Sequence, residues 1–393
     1  MKMSRAASLA VAAGTAPMDA EVGPVAPGTP VGPGVPAAPT EPRGRRGSRG
    51  SRVRRLGLGA ALGAALVATV LLAAGIGPVP TPPGVVAAAL LEPLRPWWEP
   101  LWPAADAPSA AVVHLLWSVR LPRIALALLV GAALAAAGTV MQAVFRNPLA
   151  EPGVTGVSSG AAVVAVLLIV TGVAQQTPWL LPVGAFAGAF VTVALVQVIA
   201  GRRGGSGTLL LIGIALNAFL GAVIAAVVVN APAAEDAQQA MFWLNGDLTA
   251  STWADVGLAV APIVLGLAAL AVCVPELNMF LLSEESAAAA GVNTTVMRHV
   301  LLALAALVTA AGVAVTGVIS FVGLVVPHVV RLVLGPDHRT LLPVSTVCGA
   351  VFLVLADLVA RNLFDPVVLQ TGTVTAFLGA PALLYLVIRK ARA

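Results

Sequence analysis

Charge is what this sequence has least of. Only 10% of its 393 residues are charged, against roughly a quarter in ordinary soluble domains. A soluble fold of this length would bury a large core, but it would also need a charged surface. Here 22 basic and 17 acidic residues are too few to cover one. Cysteine is nearly absent. Cys273 and Cys348 stand alone in apolar stretches, with no CxxC, and read as small buried apolar side chains. The four histidines, His114, His299, His328 and His338, are scattered and compose no zinc or haem ligand set. No metal site is therefore expected. Nor is there a GxxxxGK[ST] segment, the loop whose backbone amides cradle nucleotide phosphates.

What the chain has in excess is apolar sequence: 59% of residues are hydrophobic and the mean hydropathy is +0.97. A bilayer removes the need for a charged surface, because most of the outside then faces lipid. Spanning helices need about 20 apolar residues each. Ten segments qualify, at about 56–76, 122–144, 155–173, 178–200, 208–230, 254–275, 297–317, 320–335, 341–362 and 371–388. Lipid forbids unpaired backbone groups, so these segments are expected to be helices, and the fold class is all-α and polytopic. The eighth segment holds Pro327 and His328 and is expected to be short, broken or tilted. Small residues recur within the spans, as around Gly131, Ala135 and Gly138, and such faces let helices pack backbone to backbone.

Residues 1–55 are rich in Ala, Pro, Gly and Ser and show no helical or strand period, so a disordered cytoplasmic tail is expected ahead of a membrane domain at 56–390. Seven of the 22 basic residues crowd between Arg43 and Arg55, without interleaved aromatics. That pattern suits anionic headgroups better than nucleic acid. With the N-terminus placed inside, the inner segments collect this run together with Arg146, Arg202, Arg203, Arg298, Arg331, Arg339, Arg389, Lys390 and Arg392. The outer side keeps Arg95, Arg120, Arg123 and Arg361. This bias puts both termini in the cytoplasm. The outer segment 77–121 carries Trp97, Trp98, Trp102 and Trp117, which suit interfacial anchoring. A second outer segment, about 231–253, contains MFWLNGDL and reads as a short surface helix able to meet an extracytoplasmic partner.

Individual residues then stand out. Asp357 lies inside the ninth span with Arg361 four residues on, so both share one helix face. Charge inside a bilayer is costly and faces protein or water. An internal ion pair or a bond to a neighbouring helix is the first reading, and a proton relay the second. Arg146, Asn147, Pro148 and Pro152 form a sharp turn after the second span.

Three stretches carry a specific resemblance: RLPRIALALLVGAALAAAGTVMQAVFRNPLAEPGVTGVSSGAA from Arg120, GVISFVGLVVPHVVRLVLGPDHRTLLPVS from Gly317, and GAVFLVLADLVAR with GTVTAFLGAPALLYLV from Gly349. They resemble the permease subunits of the iron-siderophore, haem and cobalamin uptake family of ABC importers, over residues 56–390. The resemblance implies ten helices per subunit, a path at the axis of two permease subunits, and two cytoplasmic ATPase subunits that bind ATP and Mg. It also implies a binding protein that delivers substrate from outside, and no cofactor on this chain. It makes Arg146, Asn147, Pro148, Pro152, Pro327 and His328 candidates for the gate or path. It further implies that a segment at about 276–296, containing MFLLSEESAAAAGVNT, forms two short helices that dock on the ATPase. Within it Ser283 suits a helix cap, Glu284 and Glu285 its first turn, Ala287 its face and Gly291 its end. Ferric siderophore is the expected substrate, by family frequency, with haem and cobalamin as alternatives. A secondary transporter would need grouped intramembrane acids, and Asp357 is the one strong candidate. After the ninth span the family pattern Pro-x-Glu-Leu-Pro-x-Gly is replaced by Pro366 to Gly372 without the acid or the second proline.

Overall fold

A computed structural model describes residues 47–92, 108–201, 205–282, 289, 291, 293–364 and 367–391. The unit Arg52–Ala393 is one helical body. In chain order its main helices are α1 (Gly47–Gly75), α2 (Pro83–Leu91), α3 (Ala110–Leu115), α4 (Leu121–Val144), α5 (Val157–Val170), α6 (Leu180–Ala200), α7 (Ser206–Val229) and α8 (Ala234–Leu244). Then come α9 (Trp253–Val272), α10 (Val274–Met279), α11 (Thr294–Thr316), α12 (Val322–Leu334), α13 (His338–Asn362) and α14 (Thr371–Ala391). Among the described residues, seven helical stretches are long and apolar enough to cross a membrane, and α5, α12 and Thr371–Tyr385 are shorter apolar helices. Together they coincide with the ten expected segments.

Two boundaries differ from expectation. Helix α1 begins at Gly47, inside the stretch expected to be irregular through residue 55. Arginine is a good helix former and nothing between Gly50 and Gly57 breaks a helix, so the basic run continues the span backward. The second span is also longer, because α3 runs through a π turn (Leu116–Arg120) into α4. Pro122 cannot donate a backbone bond, and the wider turn accommodates it. Arg120 and Arg123, assigned by sequence to the outer side, are thereby drawn into the helix and buried.

The centre of the bundle is α4, buried on nearly every face. It packs against α13, α11, α12 and α9. Glycine makes these approaches possible. A Cβ on Gly131 would fall on the carbonyl of Gly349 in α13, and one on Gly138 would fall on the carbonyl of Gly323 in α12. A second small-residue contact joins Gly160 of α5 to Gly188 of α6. By contrast α7 buries little beyond Leu209 and Gly213 and leaves Leu211, Ile214 and Phe219 exposed.

Candidate functional site

Two helices are too short to span. α5 has 14 residues and α12 has 13, about 20 Å each at 1.5 Å per residue, against a hydrocarbon core of about 30 Å. Each is preceded by irregular backbone, at 145–156 and 317–321. Both irregular stretches reach the middle of the bundle. With Leu134 of α4, Asn217 of α7 and Thr309 of α11 they line a cavity of about 310 Å³. Non-helical backbone at such depth is tolerated where protein or a wet cavity satisfies it. Here Asn217 Nδ2 donates to the carbonyls of Gly153 (2.9 Å) and Val154 (3.2 Å), while its Oδ1 accepts from Ser159 Oγ (2.7 Å). Gln142 Nε2 donates to the carbonyl of Leu324 at 3.0 Å. The turn at 244–247 is tied to the ends of α11 and α14: Asp247 N–H donates to Thr316 O (2.8 Å) and Gly372 N–H to Gly246 O (3.0 Å). MFWLNGDL thus forms the expected short helix, α8, followed by this turn.

The first irregular stretch is also tied to the segment expected to couple to the ATPase. Arg146 has a left-handed backbone (φ 48°). Its Nε donates to Phe280 O (3.1 Å) and its Nη2 to Leu282 O (2.6 Å), just beyond α10. Asn147 Oδ1 accepts from Leu149 N–H (3.0 Å), an Asx turn that redirects the chain, and Pro152 opens a short 3₁₀ turn buried against Gly323. Helix α10 is fixed in turn to the start of α13: Asn278 Nδ2 donates to Asp337 Oδ1 (2.8 Å) and its Oδ1 accepts from His338 N–H (2.8 Å). The N-cap bond from Arg339 N–H, followed by the Asn278 amide, holds the exposed Asp337 carboxyl below its ordinary pKa.

At the other end of α4 lies a buried ionic cluster. Asp357 does not pair with Arg361 alone. Arg123 grips it with Nε at 2.9 Å from both carboxylate oxygens and Nη2 at 2.7 Å from Oδ1; Arg361 Nε stands 3.4 Å away, and Thr371 Oγ1 donates at 3.0 Å. Arg361 Nη2 reaches Ala73 O at 3.0 Å, and Arg120 donates to Ala74 O and Val79 O. The surplus positive charge thus faces the C-terminal carbonyls of α1, where cations are favoured.

Of the residues singled out by sequence, Arg146, Asn147, Pro148 and Pro152 fall together in the first irregular stretch, and Pro152 lines the cavity. Pro327 and His328 lie farther along α12, outside that lining. Asp357 and Arg361 meet as expected. Ser283, Glu284, Glu285 and Ala287 lie outside the described residues, and Gly291 has the left-handed backbone (φ 84°) of a helix-ending glycine. Gln142 and Asn217 escaped the sequence reading, as did the pairing of Arg123 with Asp357. Isolated polar residues inside apolar spans were the available signal for Gln142 and Asn217.

Among the described residues, ten apolar helices, two of them short and starting beside a cavity inside the bundle, with an arginine link to the backbone just after α10, define a polytopic transport protein. The chain belongs to the FecCD transport family, whose model matches residues 65–389. It is an ABC importer permease of that family. It is 42% identical to the cobalamin import system permease protein BtuC of Halobacterium salinarum, covering 85% of this chain and 96% of that one. It is 40% identical to the hemin transport system permease protein HmuU of Yersinia pestis, over 71% and 85% of the two chains. A solved structure described as an inward-facing conformation of a metal-chelate type ABC transporter superposes with a TM-score of 0.73 at 31% identity, covering 84% of this chain and 98% of that one.

Proposed function

We propose that this permease carries a large metal chelate across a bacterial cytoplasmic membrane, as one half of a permease dimer driven by two cytoplasmic ATPase subunits and supplied by an extracytoplasmic binding protein. ATP and Mg belong to the ATPase partners, and this chain performs no covalent chemistry. Both termini face the cytoplasm, a reading supported by the basic bias of the inner segments. The observation that carries the coupling mechanism is the Arg146 link. It joins the carbonyls leading into the 283–291 segment to the irregular stretch at the cavity. Motion of a docked ATPase then reaches the path in one step.

Ferric siderophore was the expectation from family frequency. The similarity to a cobalamin permease and a hemin permease supports the class that these three substrates share, large chelates of a transition metal. The mostly apolar cavity, with a few scattered polar groups and no dense ligand set in its lining, suits a path that handles such cargo without holding it. The test is uptake by a deletion strain lacking redundant importers, using radiolabelled ferric siderophore, haem and cobalamin. Loss of one signal, restored by the gene but not by Arg146→Ala of equal abundance, supports both cargo and coupling. Unchanged uptake of all three sinks the chelate assignment.

A further inference from the structure

Helix α1 meets α13 differently at its two ends. Near the end of both helices Arg361 Nη2 donates to Ala73 O (3.0 Å), and Ala73 is fully buried. Near the start of both, residues of the two helices line one cavity of about 440 Å³. The helices therefore run in the same direction, joined at one end and parted at the other. On α1 the wall is Leu58, Leu62 and Leu66, one turn apart on one face, with Gly59 and Gly63 beside them. On α13 it is Pro343, Val344 and Val347. Glycines four residues apart permit backbone contact between helices, as Gly131 and Gly349 make between α4 and α13. Here that contact is not made: a Cβ on Gly59 or Gly63 would meet no atom within 4 Å.

The groove has one charged end. Arg339 and Thr340, in the first turn of α13, complete its lining, which contains no acid. Arg339 is exposed, and among the described residues its guanidinium makes no hydrogen bond or ion pair. Asp337, two residues earlier, is engaged instead by Asn278 and by the backbone N–H of Arg339. Arg54 and Arg55 stand one turn before Leu58 and Gly59 in α1, so the chain adds positive charge toward the same end. Walls of Leu, Val and Pro offer water no partners, whereas an acyl chain gains dispersion contacts along them. A phosphate at the mouth gains the free guanidinium.

We propose that the groove between the first halves of α1 and α13 binds one anionic phospholipid, with an acyl chain along Leu58, Leu62 and Leu66 and the phosphate at Arg339. The lipid supplies at this end the contact that Arg361 supplies at the other. It also lies beside His338, whose backbone N–H is held by Asn278 of α10. The reading that both termini face the cytoplasm puts this lipid in the inner leaflet, but the site itself does not depend on it.

The test is native mass spectrometry of the purified full chain in detergent, titrated with dioleoylphosphatidylglycerol or dioleoylphosphatidylcholine. The acyl chains are identical, so a difference reports the headgroup. The parent is expected to bind its first phosphatidylglycerol about fivefold more tightly than phosphatidylcholine, the effect of one arginine near a phosphate. Arg339→Gln should remove that preference and leave phosphatidylcholine unchanged. Gly63→Phe places a ring in open space within the groove and should weaken both lipids about tenfold. Equal affinity of the parent for the two lipids overturns the proposal. So does a first-phosphatidylglycerol affinity within about twofold of the parent in both variants. A preference abolished by Arg54→Ala with Arg55→Ala but kept by Arg339→Gln would put the headgroup on α1 and overturn it too. If Gly63→Phe alters the oligomeric state while lipid binding persists, the groove belongs to a neighbouring protein chain and the lipid assignment fails.

Discussion

The two ends of α4 are held in different ways. At its start Arg120 and Arg123 sit in a dense buried cluster with Asp357, Arg361, Thr371 and the carbonyls that end α1. Past its other end Arg146 grips two carbonyls beside α10, one of them at an exposed contact. In the first arrangement the Asp357 carboxylate is held by Arg123, Arg361 and Thr371 together, away from solvent. The second is a pair of hydrogen bonds at the edge of the bundle, with irregular chain on one side. One end of the helix is an anchor and the other is a joint.

The comparison breaks first if the anchor is dispensable. Asp357→Ala leaves Arg123 and Arg361 buried without their carboxylate. Removing one partner of a buried charge pair typically costs about 3–5 kcal/mol. Loss of monodisperse protein in detergent is expected, or a large fall in thermal midpoint, with Asp357→Asn less severe because Thr371 keeps an acceptor. Next comes the glycine seam between anchor and joint. Gly349→Val puts side-chain atoms where Gly131 and Ala135 pack, and overpacking of this kind costs about 1–3 kcal/mol. The thermal midpoint should fall, with uptake lost in proportion to the folded protein lost.

The joint should behave otherwise. Arg146→Ala is expected to cost about 1 kcal/mol or less in stability, yet to abolish uptake while ATP hydrolysis by the complex continues. A midpoint drop as large as that of Asp357→Ala would mean that both ends are anchors. The smallest effect concerns Asp337, which caps α13 and receives α10. Its folded pKa is lowered, so it contributes stability above its unfolded pKa, and this is lost as pH falls through the folded value. Asp337→Asn should therefore lower the thermal midpoint slightly at neutral pH, and the difference should shrink as pH falls through the depressed folded pKa.

The anchor was half legible in the sequence. Asp357 and Arg361 stand one helical turn apart, so their shared face follows from helix geometry alone. Arg123 lies 234 residues from Asp357 and no local pattern joins them. The hydropathy pattern even assigned Arg123 to the outer side, because a charged residue next to a proline looks like a span boundary. The joint was legible as a turn from Asn147, Pro148 and Pro152. Its bond to Phe280 and Leu282 was not, because a backbone carbonyl has no sequence signature.

The sequence by itself determined the bilayer as solvent, the ten apolar segments, the motif-bearing turns and the shortness of the eighth span. Each follows from composition or from periodicity within a single helix. The tertiary structure alone decided which apolar helices face protein and which face outward. α4 and α7 are similarly apolar, yet in an 18-residue apolar window 78% of the helical stretch containing α4 is buried against 6% for α7. Lipid and protein interior are alike in polarity, so hydropathy cannot separate them. Close helix packing through glycine does, and it also brings Arg123 to Asp357.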